Sequence, residues 1–246
     1  MKVLDVVLLH GWGTGASVWK NLAAALAPWH PVHVPDLPGY GMAPVCTPYT
    51  LEEIVAGLAR SAPRRCDVVG WSLGAQVALA WAQRAPRQVM RLGLIAATPC
   101  FAQRADWPHA IAPEALARFS KGLAADRAGT MRRFISLEAQ GDAKAKQVAR
   151  QLRDAHAAGD APAREALAAG LRILLETDMR GALGSIPQPA LVIHGYHDRV
   201  APLAAGEHLS RCLPNARLLV MAGAGHAPFL SQARKVAAAL QEFLDA

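Results

Sequence analysis

The sequence predicts an α/β protein: a mostly parallel sheet of about six strands, covered by helices on both faces and interrupted by a helical insertion. Three observations carry this. Short β-branched and leucine-rich runs recur along the chain with helix-length segments between most of them. Between Pro99 and Ile186 the strand signal disappears and the chain becomes alanine-rich. The 246 residues, 52% hydrophobic and 18% charged, are enough to bury a sizeable core without disulfides or a structural metal.

Each element follows from its local pattern. Residues 3–9, V-L-D-V-V-L-L, are too short for a helix and stop at the turn signal Gly11-Trp12-Gly13, which predicts a buried strand. A helix over 17–27, a short strand at 32–34 with an exposed edge, a tight turn from Leu37 to Gly41 and a helix over 51–59 come next. A strand at 66–70 feeds a helix over 73–85, and a strand at 92–96 precedes the insertion. About four helices, punctuated by prolines and glycines, fill 99–186. Strands at 190–194 and 217–221 then alternate with helices over 203–212 and 232–244. The expected organisation is a core of 1–98 and 187–246 with a helical cap of 99–186.

Charge and cysteine usage narrow the function. Net charge is +7, and residues 118–153 hold nine Lys or Arg against three acids, so an acidic partner is implied. That stretch has no interleaved aromatics for base stacking, which argues against nucleic acid. No apolar run approaches the roughly 20 residues of a membrane span, and Met1-Lys2-Val3-Leu4-Asp5 does not open a secretory peptide. Four cysteines form no C-x-x-C pair, and no H-E-x-x-H or zinc-finger spacing occurs. The expectation is a reduced cytoplasmic monomer with no metal and no cofactor.

Gly70-Trp71-Ser72-Leu73-Gly74 matches G-x-S-x-G between a predicted strand and a predicted helix. A sharp strand-to-helix turn leaves no room for side chains two residues either side of the serine, hence the glycines. It projects the Ser72 hydroxyl above the sheet. A serine hydroxyl is a weak nucleophile without a base, so a histidine and an orienting carboxylate are required. Asp198 and His226 follow in that order, each just past a strand, with Asp178 in the insertion as the lesser candidate for the acid. His10-Gly11-Trp12-Gly13 closes the first strand as a second oxyanion loop would, so the Trp12 and Leu73 amides are the expected oxyanion donors. His10, His33 and His194, at strand ends, are expected to be structural. A competing pattern is Gly11-x-Gly13-x-x-Ala16 with Asp36 further on, close to the dinucleotide-binding fingerprint. A hydride-transfer reading leaves Ser72, Asp198 and His226 without a role.

These motifs resemble the α/β-hydrolase superfamily and, within it, the pimeloyl-[acyl-carrier protein] methyl ester esterase family of biotin synthesis. The resemblance is carried by Leu8-Leu9-His10-Gly11-Trp12-Gly13, the Gly70–Gly74 motif, Pro99-Cys100-Phe101 with Asp106-Trp107-Pro108, and Ala227-Pro228-Phe229. It implies hydrolysis of a carrier-bound methyl ester, with Ser72 as nucleophile, His226 as base and Asp198 as orienter. Trp12 and Leu73 would contact substrate, and Phe134, Ile135, Ser136, Leu137 and Glu138 would line the acyl chain. It also implies that Arg133, Lys146 and Arg150 dock an acyl carrier protein, while the family's further docking arginine falls on Gly129, leaving Arg127 or Arg132 to replace it. Ala75 departs from the family's second glycine at the elbow. Independently, Lys146, Arg150 and Arg153 are spaced to share one helix face, away from Val148 and Leu152. A broad short-chain carboxylesterase, a hydrolase of thioesters or carbon–carbon bonds, and a non-catalytic binding module remain the alternatives.

Overall fold

The alternation of strand and helix signals resolves into one sheet. In the computed structural model, which describes residues 3–157 and 162–246 and leaves out Met1, Lys2 and 158–161, six strands pair in the order β2-β1-β3-β4-β5-β6. They are β1 Asp5–Leu9, β2 Val32–His33, β3 Cys66–Trp71, β4 Val89–Ile95, β5 Ala190–Gly195 and β6 Ala216–Met221. Every pairing is parallel. β2 and β6 form the edges, and β2 is only two residues long, one of the ways natural sheets blunt an edge.

The period-2 alternation of the strands divides the core. Val7, Leu9, Val68, Leu92, Leu94 and Val192 pack on one side with α2 (Leu51–Ser61), α3 (Leu73–Arg84) and α8 (Leu203–Cys212). Val6, Leu8, Val69, Trp71, Ile95, Leu191 and Ile193 pack on the other with α1 (Lys20–Leu26) and α10 (Ala233–Asp245). α2 shows the local logic: the Thr50 hydroxyl accepts from the Glu53 N–H at 3.2 Å, Glu52 and Glu53 sit in the first turn, and Ile54, Val55 and Leu58 face inward.

Among the described residues four α-helices and a 3₁₀ turn, Arg180–Ser185, lie between β4 and β5: α4 Pro113–Ala125, α5 Arg127–Ala139, α6 Ala145–Ala157 and α7 Arg164–Glu176. Asp126 ends α4 and caps α5, its Oδ1 accepting from the Gly129 N–H at 2.8 Å. One residue thus joins an antiparallel helix pair. The insertion closes at its neck, where the Met179 N–H donates to the Pro99 carbonyl at 2.9 Å and Cys100 bridges to Asp178. The Trp107 indole N–H donates to the Cys100 carbonyl at 2.8 Å, so the Pro99–Pro108 motif braces this neck. Among the described residues no helix is long and apolar enough to cross a membrane.

Three boundaries differ from the sequence reading. The expected helix 17–27 begins as a 3₁₀ turn, Ala16–Trp19, which turns Val18 and Trp19 into the core before α1 starts. β4 starts at Val89 rather than Leu92, because Arg91 pairs with buried Asp67 on β3 at 3.3 Å and so belongs to a strand despite its charge. The helix expected over 232–244 is preceded by a separate turn, α9 Pro228–Ser231, broken at Gln232 where φ is −128° and ψ 43°.

Candidate active site

Ser72 sits between β3 and α3 with φ 55° and ψ −115°, a left-handed conformation that costs a non-glycine residue on the order of 1–3 kcal/mol. The surroundings enforce it. A Cβ on Gly70 would overlap the Gly74 carbonyl and lie 2.6 Å from the Ala75 Cα, while one on Gly74 would overlap the Leu9 carbonyl of β1. The two glycines therefore let the elbow settle against the end of the neighbouring strand. The Ser72 N–H donates to the Ile95 carbonyl at 3.0 Å, pinning the turn to β4.

This predicts a large effect from one methyl group. Gly74→Ala should destabilise the protein by about 1–3 kcal/mol through overpacking against backbone that cannot give way. A urea midpoint unchanged from wild type would refute that packing account.

Asp198 follows β5 and His226 follows β6. Asp198 Oδ2 lies 2.8 Å from His226 Nδ1, and Oδ1 accepts the Val200 and Ala201 N–H groups at 2.8 and 2.9 Å. Both side chains are buried. Burial alone pushes the Asp198 carboxyl up, but the His226 charge and hydrogen bond, His194 and the Ala201 N–H together hold it below the ordinary carboxylate range. An ionised Asp198 selects the tautomer with hydrogen on Nδ1, which leaves the Nε2 lone pair free. Nε2 is buried with no hydrogen-bond partner among the described residues.

The histidine loop is also held from the insertion. The His226 N–H donates to the Glu138 carbonyl of α5 at 3.3 Å, and the Gly225 N–H donates to Asp142 Oδ2 at 3.0 Å. Across the ring, the Trp71 indole N–H donates to the His226 carbonyl at 2.8 Å. Sequence reasoning missed Asp142 and this use of Trp71, and its only signals were a tryptophan beside the nucleophile and one of three acids in a basic stretch.

Trp12 and Leu73 are buried at the carboxyl ends of β1 and β3. Their backbone N–H groups meet no carbonyl acceptor among the described residues, as expected for a turn and the first residue of a helix. The Trp12 indole N–H donates to the Leu167 carbonyl of α7 at 2.9 Å, and the ring stands edge-on to Phe119 and Phe134 at 5.4 and 5.2 Å. Of the five α5 residues expected to line an acyl chain, Ile135 and Glu138 are buried and Phe134 and Leu137 half-buried. Ser136 differs: it is exposed and its hydroxyl donates to the Arg132 carbonyl, so helical periodicity turns it from the others. Burial and the neighbouring Asp198 charge push the Glu138 carboxyl well above the ordinary carboxylate range.

The remaining candidates have structural partners. Asp178 pairs with Arg180 at 2.7 Å and not with His226. Asp36 accepts the Ala16 N–H at 2.7 Å and lies against Gly41, so it ties the Gly11–Ala16 loop together and is not free for a ribose. His10 Nε2 accepts the Leu37 N–H at 2.9 Å and burial lowers its pKa to about 4; His33 pairs with Asp5, and His194 Nε2 meets the Ala201 carbonyl at 2.8 Å. Arg127 donates to the Pro162 carbonyl at 2.6 Å, whereas Arg132, Arg133, Lys146 and Arg150 are exposed. Val148 and Leu152 are fully buried under α6, which turns Lys146, Arg150 and Arg153 outward.

An elbow serine, a buried Asp–His pair at neighbouring strand ends and an all-parallel sheet define a hydrolase of the α/β class. The chain belongs to the alpha/beta hydrolase family, matching it over residues 6–239. It is 43% identical over 243 residues to the pimeloyl-[acyl-carrier protein] methyl ester esterase of Aromatoleum aromaticum, covering 97% of each chain. To the enzyme of that name from Nitrosomonas europaea it is 40% identical over 227 residues, covering 92% of this chain and 90% of the relative. Among solved structures, an esterase from Exiguobacterium antarcticum superposes with a TM-score of 0.89 at 21% identity, over 99% of this chain and 92% of that one, which bears on the fold.

Proposed function

We propose that the protein is a serine carboxylesterase that hydrolyses the methyl ester of pimeloyl-[acyl-carrier protein] in biotin synthesis. The observation that carries the chemistry is the buried Asp198–His226 pair at 2.8 Å with a free Nε2, its histidine ring 5.6 Å from that of Trp71, the residue before Ser72. The substrate reading is supported by similarity to enzymes of that name over nearly the whole chain.

In this reading the Ser72 hydroxyl oxygen attacks the ester carbonyl while His226 Nε2 takes its proton. The Trp12 and Leu73 N–H groups donate to the tetrahedral oxyanion. Collapse breaks the bond to methoxide, which leaves as methanol with the proton from His226. Water, deprotonated by the same nitrogen, then attacks the acyl-enzyme, and Ser72 recovers its proton as the pimeloyl carboxylate departs on its carrier. Ile135, Phe134, Leu137 and Glu138 line the acyl path. Residues 99–186 act as a cap over the 1–98 and 187–246 core, and its exposed Arg133, Lys146 and Arg150 meet the acidic carrier. We assign the protein to the reducing cytoplasm as a monomer, in keeping with its four free cysteines.

The test compares kcat/KM for the carrier-bound methyl ester and the free ester. A strong carrier preference is expected, and reversal of Arg133, Lys146 or Arg150 to Glu should lower it on the order of tenfold, as should high salt. Equal rates for the two esters, indifferent to reversal, would instead identify a general short-chain esterase.

A further inference from the structure

Asp126 folds α4 back along α5 with no intervening loop, so residues equidistant from it face each other. Phe119 and Phe134 meet at 5.5 Å, and a Cβ on Gly122 would stand 2.9 Å from the Thr130 hydroxyl. The same register brings Arg118 of α4 beside Arg133 of α5. Both line one open groove of about 340 Å³, with Phe119, Phe134 and Leu137 as its apolar floor. Behind that floor the two phenylalanine rings pack on Trp12.

The groove carries two guanidinium groups and no carboxylate. Among the described residues neither arginine forms an ion pair, and Glu114, one turn before Arg118, does not reach it. Arg133 is oriented by its hydrogen bond to Thr130 at 3.0 Å. Two cations with no acid among the residues that line the groove suit an anionic partner. Arg127 is held by the Pro162 carbonyl, and Arg132 does not line the groove. Gly129 is buried under the Asp126 carboxylate, so α5 has no cation there.

We propose that Arg118, reaching across from α4, is the second docking cation beside Arg133, and that together they bind surface carboxylates of the acidic carrier protein. This rests on the carrier reading above and names the residue that makes up for the cation missing at Gly129. Arg127 and Arg132 are thereby set aside. The apolar floor between the charges gives the partner's acidic face something to pack on as its carboxylates pair.

The experiment measures the ratio of kcat/KM for the carrier-bound methyl ester to that for the same ester on free phosphopantetheine, in wild type, R118E, R118K and R132E. The expected result is a high wild-type ratio, a fall of about tenfold in R118E, most of the ratio kept in R118K, and little change in R132E. A wild-type ratio near one would remove the carrier reading itself. A high wild-type ratio untouched by R118E would overturn only the Arg118 assignment. An equal fall in R132E would mean that net charge, not this groove, attracts the carrier. If R118E slows the phosphopantetheine ester as much as the carrier-bound one, the ratio stays flat and the cation serves the arm's phosphate, which also overturns the assignment.

Discussion

Alanine in place of Ser72 is expected to lower kcat by on the order of 10⁶, the loss of an entire covalent route. Only the hydroxyl is removed and the site is already buried, so the fold should be kept. The left-handed backbone angle is enforced by Gly70, Gly74 and the Ile95 carbonyl and not by the serine hydroxyl. Stoichiometric labelling of the wild type by a serine-directed phosphonate, lost in the variant, should accompany the rate loss. A variant that keeps more than a few per cent of wild-type turnover would mean that another group does the chemistry.

Asp198→Asn should be nearly as severe, about 10⁴ in kcat with little change in KM. The carboxylate accepts from His226 Nδ1 and from two backbone N–H groups, and its charge fixes which ring nitrogen carries hydrogen. An amide can turn its NH₂ to the ring and trap the tautomer whose Nε2 is already protonated, which cannot accept from Ser72. The variant should also alter the pH dependence of stability. Asp198 is held below its ordinary pKa in the folded protein, so it contributes stability at neutral pH that is lost as pH falls through its folded-state value. Acid unfolding monitored by circular dichroism should therefore have a shallower dependence in Asp198→Asn. Unchanged kcat would show that His226 is oriented by something else, with His194, 3.5 Å from the same oxygen, the first suspect.

The sheet was legible because its strands are short apolar runs with strong stops, and Ser72, Asp198 and His226 stood out as candidates because each follows one of them. The helix pair α4–α5 was legible only as helix, since the one-residue turn at Asp126 fixes a register that no periodicity reveals. Arg91 hid the start of β4, because a charge reads as a break until its partner on the next strand is known. Nor did any local pattern announce Asp142 on Gly225, or the Glu138 carbonyl on His226. Both contacts join residues more than 80 positions apart, and one runs from backbone to backbone. The turning away of Ser136 follows from helical periodicity, but only once the buried face of α5 is known.

The hold that α5 and the following turn keep on the histidine loop has a consequence for how such enzymes diverge. The insertion supplies the acceptor for the His226 N–H, and the Asp142 carboxylate for Gly225, from the same segment whose outer face carries the charges at 133, 146 and 150. In the proposed reading, carrier recognition and placement of the base therefore depend on one segment. Exchanging the whole segment would require the loop around the histidine to be refitted at the same time, whereas a single exposed residue such as Arg118 can be changed without disturbing that loop.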